Sequence, residues 1–179
     1  MIEVDDKASS VVVWAARGGH GATTIAGAIG RFLGSEVVGH EAGALQWLWG
    51  RECPLVINDA LVFDAGALSV LPGQPATNVV VLRGPCSLAL RTLAPLSSYI
   101  NHLVLIREPW RPLRNQDVEA VLGTAISAEV PHSPRIARLI DAGLLQQRLP
   151  ELDEFAQLKT FAVTQLARAA VTSSTPRIS

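Results

Sequence analysis

Residues 11–24 read Val-Val-Val-Trp-Ala-Ala-Arg-Gly-Gly-His-Gly-Ala-Thr-Thr, and this run constrains the chain more than any other. The apolar residues suit a buried strand, the glycines a tight turn, and Thr23 onward the start of a helix. That layout makes a cradle for phosphate. Glycine lets the main chain approach an anion, and the N–H groups at a helix start point at it. Loops of this kind usually close with Gly-Lys-Thr or Gly-Lys-Ser, whose lysine reaches the outer phosphates. Here the lysine position holds Ala22.

Strand-like and helix-like segments alternate after this point, which predicts βαβ units and a mainly parallel sheet. Hydrophobic residues make up 49% of the chain and charged residues 17%, as suits a sheet covered on both faces. Strands are expected at Val11–Ala15, Glu36–Gly39, Leu61–Phe63 with Asp64 at its end, Asn78–Leu82, Leu103–Ile106 and Ala125–Val130. Helices are expected at Thr23–Leu33 with Gly34 as its stop, Ala44–Gly50, Leu88–Leu93, Asn115–Leu122, Arg135–Leu145 and Glu151–Val171. In the last, Leu152, Phe155, Leu158, Ala162 and Leu166 trace an apolar stripe, read as core-facing because the polar face lacks the lysines and arginines of a membrane-lying helix. The expected fold is a single-domain, three-layer α/β/α arrangement over residues 11–171, after a polar segment 1–10 and before a flexible tail 172–179.

The formal net charge of −1 gives no general pull toward nucleic acid or anionic membrane. The only lysines, Lys7 and Lys159, lie far in sequence from the glycine loop, so no neighbouring lysine replaces the missing one. Cys53 and Cys86 form no CxxC pair, which argues against a metal knuckle and for a reducing compartment. No apolar signal core opens the chain, and no run reaches the ~18 apolar residues of a membrane span. The expectation is a soluble, cytoplasmic protein without membrane insertion.

Arg17, Gly18, Gly19, His20, Gly21, Ala22, Thr23 and Thr24 resemble the loop of the ParA/MinD group of P-loop ATPases, which carry a deviant Walker A motif, KGGxGKT followed by Thr or Ser. Gly18, Gly19, Gly21, Thr23 and Thr24 match it. The group's signature lysine, which reaches a partner's nucleotide across a dimer, falls on Arg17, and the P-loop lysine falls on Ala22. Residues 61–66 resemble the second switch, where Asp64 would touch magnesium through water. Residues 79–91 resemble the strand and loop leading to a Ser-Leu helix start, and residues 129–134 the stretch lining adenine, which includes Pro131. The first-switch aspartate is absent; His40 or Glu41 stands near its place.

The resemblance implies ATP and magnesium as ligands. Arg17, Gly18, Gly19, His20, Gly21, Ala22, Thr23, Thr24 and Pro131 would contact nucleotide, and Thr23 and Asp64 would serve the metal. Asp64 and His40 are the candidates for a catalytic role, and a turn cap is the alternative for Asp64. Loss of the lysine removes a charge-assisted hydrogen bond worth roughly 1.5–3 kcal/mol. Turnover suffers further, because phosphoryl transfer depends on electrostatic stabilisation. The expectation is a weak nucleotide binder or pseudo-ATPase that positions DNA, a division component or a pilus or secretion apparatus, acting as a homodimer and docking on a protein partner. Two alternatives stand beside it: an active ATPase using Arg17 in place of lysine, and a structural subunit that binds no nucleotide. Arg17 is open between a phosphate clamp and a solvated arginine, and His20 is expected to be an exposed loop side chain. The arginines of residues 107–114 are candidates for touching DNA. With six arginines against five acids between Asn101 and Pro150, a solvated face is the expectation there, with Trp110 covering the core.

Overall fold

Val11, Val12 and Val13 lie inside a six-stranded sheet whose strands all pair in parallel. The computed structural model describes residues 10–39, 48, 58–67 and 77–167. Its strands are β1 (Ser10–Ala15), β2 (Ser35–Gly39), β3 (Asn58–Ala67), β4 (Thr77–Gly84), β5 (His102–Arg107) and β6 (Ile126–Pro131). Their order across the sheet is β2-β3-β1-β4-β5-β6. From β1 the chain crosses to the edge strand β2 and returns to β3 beside β1, then runs outward on the other side through β4, β5 and β6. The reversal falls between β1 and β4, and ligands of open α/β sheets bind beyond the carboxyl ends of the strands at such a point.

Alternation along the strands divides the core into two layers. Val11, Val13, Val79, Val81 and Val104 face one side, against Ile25, Ala26 and Ile29 of α1 (Ala22–Leu33). Val12, Trp14, Val80, Leu82, Leu103 and Leu105 face the other. There they pack on α2 (Ser87–Leu93) and α3 (Asn115–Leu122) through Leu90, Leu93, Val118 and Leu122. Helix α1 ends at Gly34, which is left-handed at φ 64 and donates its N–H to the Gly30 carbonyl.

Three expected elements differ. The strand through Leu61–Phe63 does not stop at Asp64 but continues to Ala67, with a register shift beside Asp64: Val13 pairs with Asp64, and Trp14 with Gly66. The expected helix Arg135–Leu145 is split into α4 (Pro134–Asp141) and a short α5 (Leu145–Arg148). Gly143 at φ 66 causes the break; its N–H bonds the Ile140 carbonyl and that of Leu144 the Leu139 carbonyl, a Schellman closure. The last helix is likewise a series of pieces. Leu149–Glu151 and Asp153–Phe155 are 3-10 turns, α6 is Ala156–Phe161, and Ala162–Leu166 is a π turn. The extended backbone of Leu152, at φ −95 and ψ 102, prevents a continuous start. Leu152, Phe155, Leu158, Ala162 and Leu166 are nevertheless all buried on the α1 side of the sheet. The leucines and Phe155 each contribute roughly 1.5–3 kcal/mol, against propensity differences below about 0.7 kcal/mol per residue, so packing decides this segment.

The expected helix at 44–50 lies outside the described residues apart from Leu48, which is helical and buried. His40, Glu41, Trp47, Trp49, Cys53, Lys7 and the chain ends also lie outside them. No helix among the described residues is long and apolar enough to cross a membrane.

Candidate functional site

Beyond Ala15 the chain turns at the carboxyl end of β1 and enters α1. Gly19 and Gly21 have φ 76 and 88, values that side-chain-bearing residues resist. Gly21 is also the N-cap of α1 and brings no side chain to satisfy the first N–H groups of the helix. This curl walls a cavity of about 670 Å³. The sequence-predicted nucleotide contacts, Arg17, Gly18, Gly19, His20, Gly21, Ala22, Thr23, Thr24 and Pro131, all line it, and so does Asp64. His40 is outside the described residues.

Ala22 is 6% exposed and gives the cavity wall no charge. Asp64 is 1% exposed, and its Oδ1 accepts the Gly66 N–H at 3.0 Å, so the turn-capping role is present at a carboxylate that also lines the cavity. Thr23 brings a hydroxyl to the same space. Hard oxygen donors of this kind suit magnesium, which takes few protein ligands and completes its shell with phosphate and water. No group of three or more His, Cys, Asp or Glu side chains placed to hold a metal exists among the described residues.

The cavity has two characters. Its loop end carries main-chain N–H groups and the side chains of Arg17, His20 and Arg83. Away from the loop it is lined by Val130, Pro131, Ile136, Ile140 and Phe155, with Ile106 beside Gly21. The β5–β6 pairing of Arg107 with Pro131, continued by the bond from the His132 N–H to the Arg107 carbonyl at 2.8 Å, sets that far wall. An anion with an apolar group attached matches both ends.

His20 differs from the expectation of an exposed side chain. It is half-buried, and its Nδ1 accepts the Arg83 N–H at 3.5 Å. Burial first, then the positive charges of Arg17 and Arg83, hold its imidazole below the ordinary 6.5, against an opposing pull from Glu108.

Arg83 and Glu108 are site residues that sequence reasoning missed. Arg83 continues the Val79, Val81 series on the α1 side of β4, one step beyond the core. Its NH1 donates to the Gly19 carbonyl at 3.3 Å and its Nε to Glu108 Oε1 at 2.8 Å. Glu108, 6% exposed, also accepts from Arg111 Nε through Oε2 at 2.8 Å. Burial alone raises a carboxyl pKa. Hydrogen bonds from Arg111 and Arg83, with their charges, outweigh that and hold Glu108 below its ordinary 4.5. Arg83 and Glu108 are 25 residues apart, and only the pairing of β4 with β5 joins them.

Trp110 does not cover the core. It is 65% exposed, with its ring edge-on to His132 at 5.5 Å. Leu113 of the same loop packs against the core in its stead.

A ParA family ATPase from Chlorobium tepidum TLS aligns with a TM-score of 0.68 at 13% identity, over 89% of this chain and 99% of that one. A chain of the MinC:MinD cell division protein complex of Aquifex aeolicus aligns with a TM-score of 0.68 at 16% identity, over 96% of this chain and 99% of that one. No family model and no curated protein sequence matches the chain. At such identities the likeness is one of fold, and the fold is that of the ParA/MinD-type P-loop proteins.

Proposed function

We propose that this chain is a ParA/MinD-like positioning protein that binds a nucleoside triphosphate weakly, hydrolyses it poorly or not at all, and acts by pairing with a second copy and docking on a protein partner. The observation that carries this reading is the cavity itself. A glycine curl and a helix start form its phosphate end, while the buried Ala22 occupies the place of the P-loop lysine. Main-chain N–H groups retain affinity for an anion. The missing ammonium costs roughly 1.5–3 kcal/mol of binding, and more of the transition-state stabilisation on which phosphoryl transfer relies.

ATP with magnesium is the ligand pair this site fits best. Thr23 and Asp64 would hold the metal, which when bound neutralises phosphate charge. The apolar far wall with Pro131 would take the base. The partner's kind follows the likeness to MinD, which occurs in a complex with MinC. Cargo of DNA, a division component or a pilus or secretion apparatus belongs to the same reading.

Calorimetry with ATP and magnesium tests it. Weak binding with negligible turnover is the expected result. A flat titration at millimolar ligand would leave only a structural subunit.

A second reading is favoured by Arg17, which is exposed while lining the cavity. An arginine there can clamp phosphate in its own site or in a second copy's, which would support an active ATPase. Steady turnover abolished by Asp64→Ala selects this reading. Dimerisation on ATP that disappears in Arg17→Ala places the arginine across the dimer, and unchanged dimerisation removes that role.

A further inference from the structure

We propose that Arg83 supplies, from β4, the cationic grip on the outer phosphates that an ordinary P-loop takes from its lysine, with Glu108 as the resting counter-ion that a phosphate displaces. This rests on the nucleotide reading above and names the residue that makes it workable. Position comes first. Strands β1 and β4 are the pair between which the winding of the sheet reverses, and they hold Ala15 opposite Val81. Arg83 is therefore level with the loop that leaves β1. Alternation points it to the α1 side, as it does Val79 and Val81. Its N–H reaches His20 and its NH1 reaches the Gly19 carbonyl, so main chain and guanidinium both lie along the loop.

Charge comes second. Among the described residues, Arg17 and Arg83 are the cationic side chains of arginine or lysine that line the cavity. Arg83, Arg111 and Glu108 form a trio of two cations and one buried anion. The surplus positive charge sits beside the glycine loop. A buried carboxylate left without a partner is strongly destabilising. Glu108 avoids that fate when Arg83 turns to a phosphate, because Arg111 still holds its other oxygen at 2.8 Å. Arg83 is thus anchored but exchangeable, and its planar fork suits a phosphate better than a carbonyl oxygen.

The experiment titrates the full chain with ATP and magnesium and, separately, with inorganic tripolyphosphate. Arg83→Gln is expected to weaken both by about 10- to 100-fold, and Arg83→Lys to recover most of the loss. Circular dichroism of each variant checks the fold. Glu108→Gln provides a second arm that does not remove the arginine. It frees Arg83 and adds positive charge, so ATP affinity should rise several-fold. If Arg83 merely braced the loop, the same change would lower affinity. Wild-type protein that binds both ligands, with Arg83→Gln binding equally well, overturns the assignment of Arg83 and leaves the nucleotide reading standing. An affinity that falls or stays level in Glu108→Gln overturns it as well. Wild-type protein that binds neither ligand overturns both.

Discussion

The Arg83 N–H meets Nδ1 of His20 across 63 residues of sequence, tying the end of one strand to the loop that leaves its neighbour. A ring nitrogen that accepts this bond is unprotonated, so the contact needs neutral imidazole in the tautomer with its proton on Nε2.

Stability should therefore depend on pH with a definite sign. His20 is held below 6.5 by burial and by Arg17 and Arg83, and His102 below 6.5 by burial. For both, the unfolded chain takes up protons at a higher pH than the native one. Their contribution is fully present above pH 6.5 and is lost as pH falls through that value toward the lowered native ones. Glu108, held below 4.5, adds stability above pH 4.5 that disappears further into acid. Thermal midpoints from pH 8 to 4 should be level above about 7 and then decline. In His20→Gln the first part of the decline should shrink; an unaltered profile would remove His20 as a contributor.

Gly30→Ala should destabilise the fold, although glycine to alanine inside a helix normally gains up to about 1 kcal/mol. A Cβ at Gly30 would lie 2.1 Å from Val37 Cγ2 and 3.3 Å from the Ser35 carbonyl. Overpacking of this kind costs roughly 1–3 kcal/mol, so the clash should win. Urea denaturation measures the balance, and Val37→Ala in the same chain should return part of the loss.

Gly21→Ala meets two obstacles at once. The residue sits at φ 88, and its Cβ would approach Ile106 Cδ1 to 2.8 Å. Left-handed backbone costs an ordinary residue about 1–2 kcal/mol. Both the melting temperature and the affinity for ATP should fall, because the same curl shapes the cavity wall. A variant with lower stability but wild-type ATP affinity would separate the loop from the ligand.

Ala22→Lys should tighten ATP binding by about 10- to 100-fold, the worth of one charge-assisted hydrogen bond. Ala22 already lines the cavity, and its burial leaves a lysine chain the cavity as its way out. Calorimetry comparing the two proteins decides; equal affinity would mean that the phosphates sit elsewhere.

Much of the fold was legible because its signals are local. The valine runs at residues 11–13 and 79–81 are long enough to mark buried parallel strands, and Gly34 and Pro134 mark helix boundaries by their own backbone geometry. Where local signals compete, legibility failed. The stripe from Leu152 to Leu166 reads as one helix by spacing, but it starts at an extended Leu152 and runs through 3-10, α and π turns while keeping its buried face intact. Trp110 looks like a core residue by type, yet Leu113 takes that space.

For the site, residues 17–24 announced their cradle because phosphate binding by main chain needs glycine at consecutive turns, a requirement written in adjacent letters. Asp64 and Pro131 came from the family likeness, and the parallel sheet brought them to one cavity. Arg83 and Glu108 carry no such local mark. An arginine after a run of valines is ordinary, and nothing nearby names its partner. Their meeting depends on which strands lie side by side, on the face that alternation gives each residue, and on where the winding reverses. Those are properties of the assembled sheet, set by burial summed over the whole chain, and no window of neighbouring residues contains them.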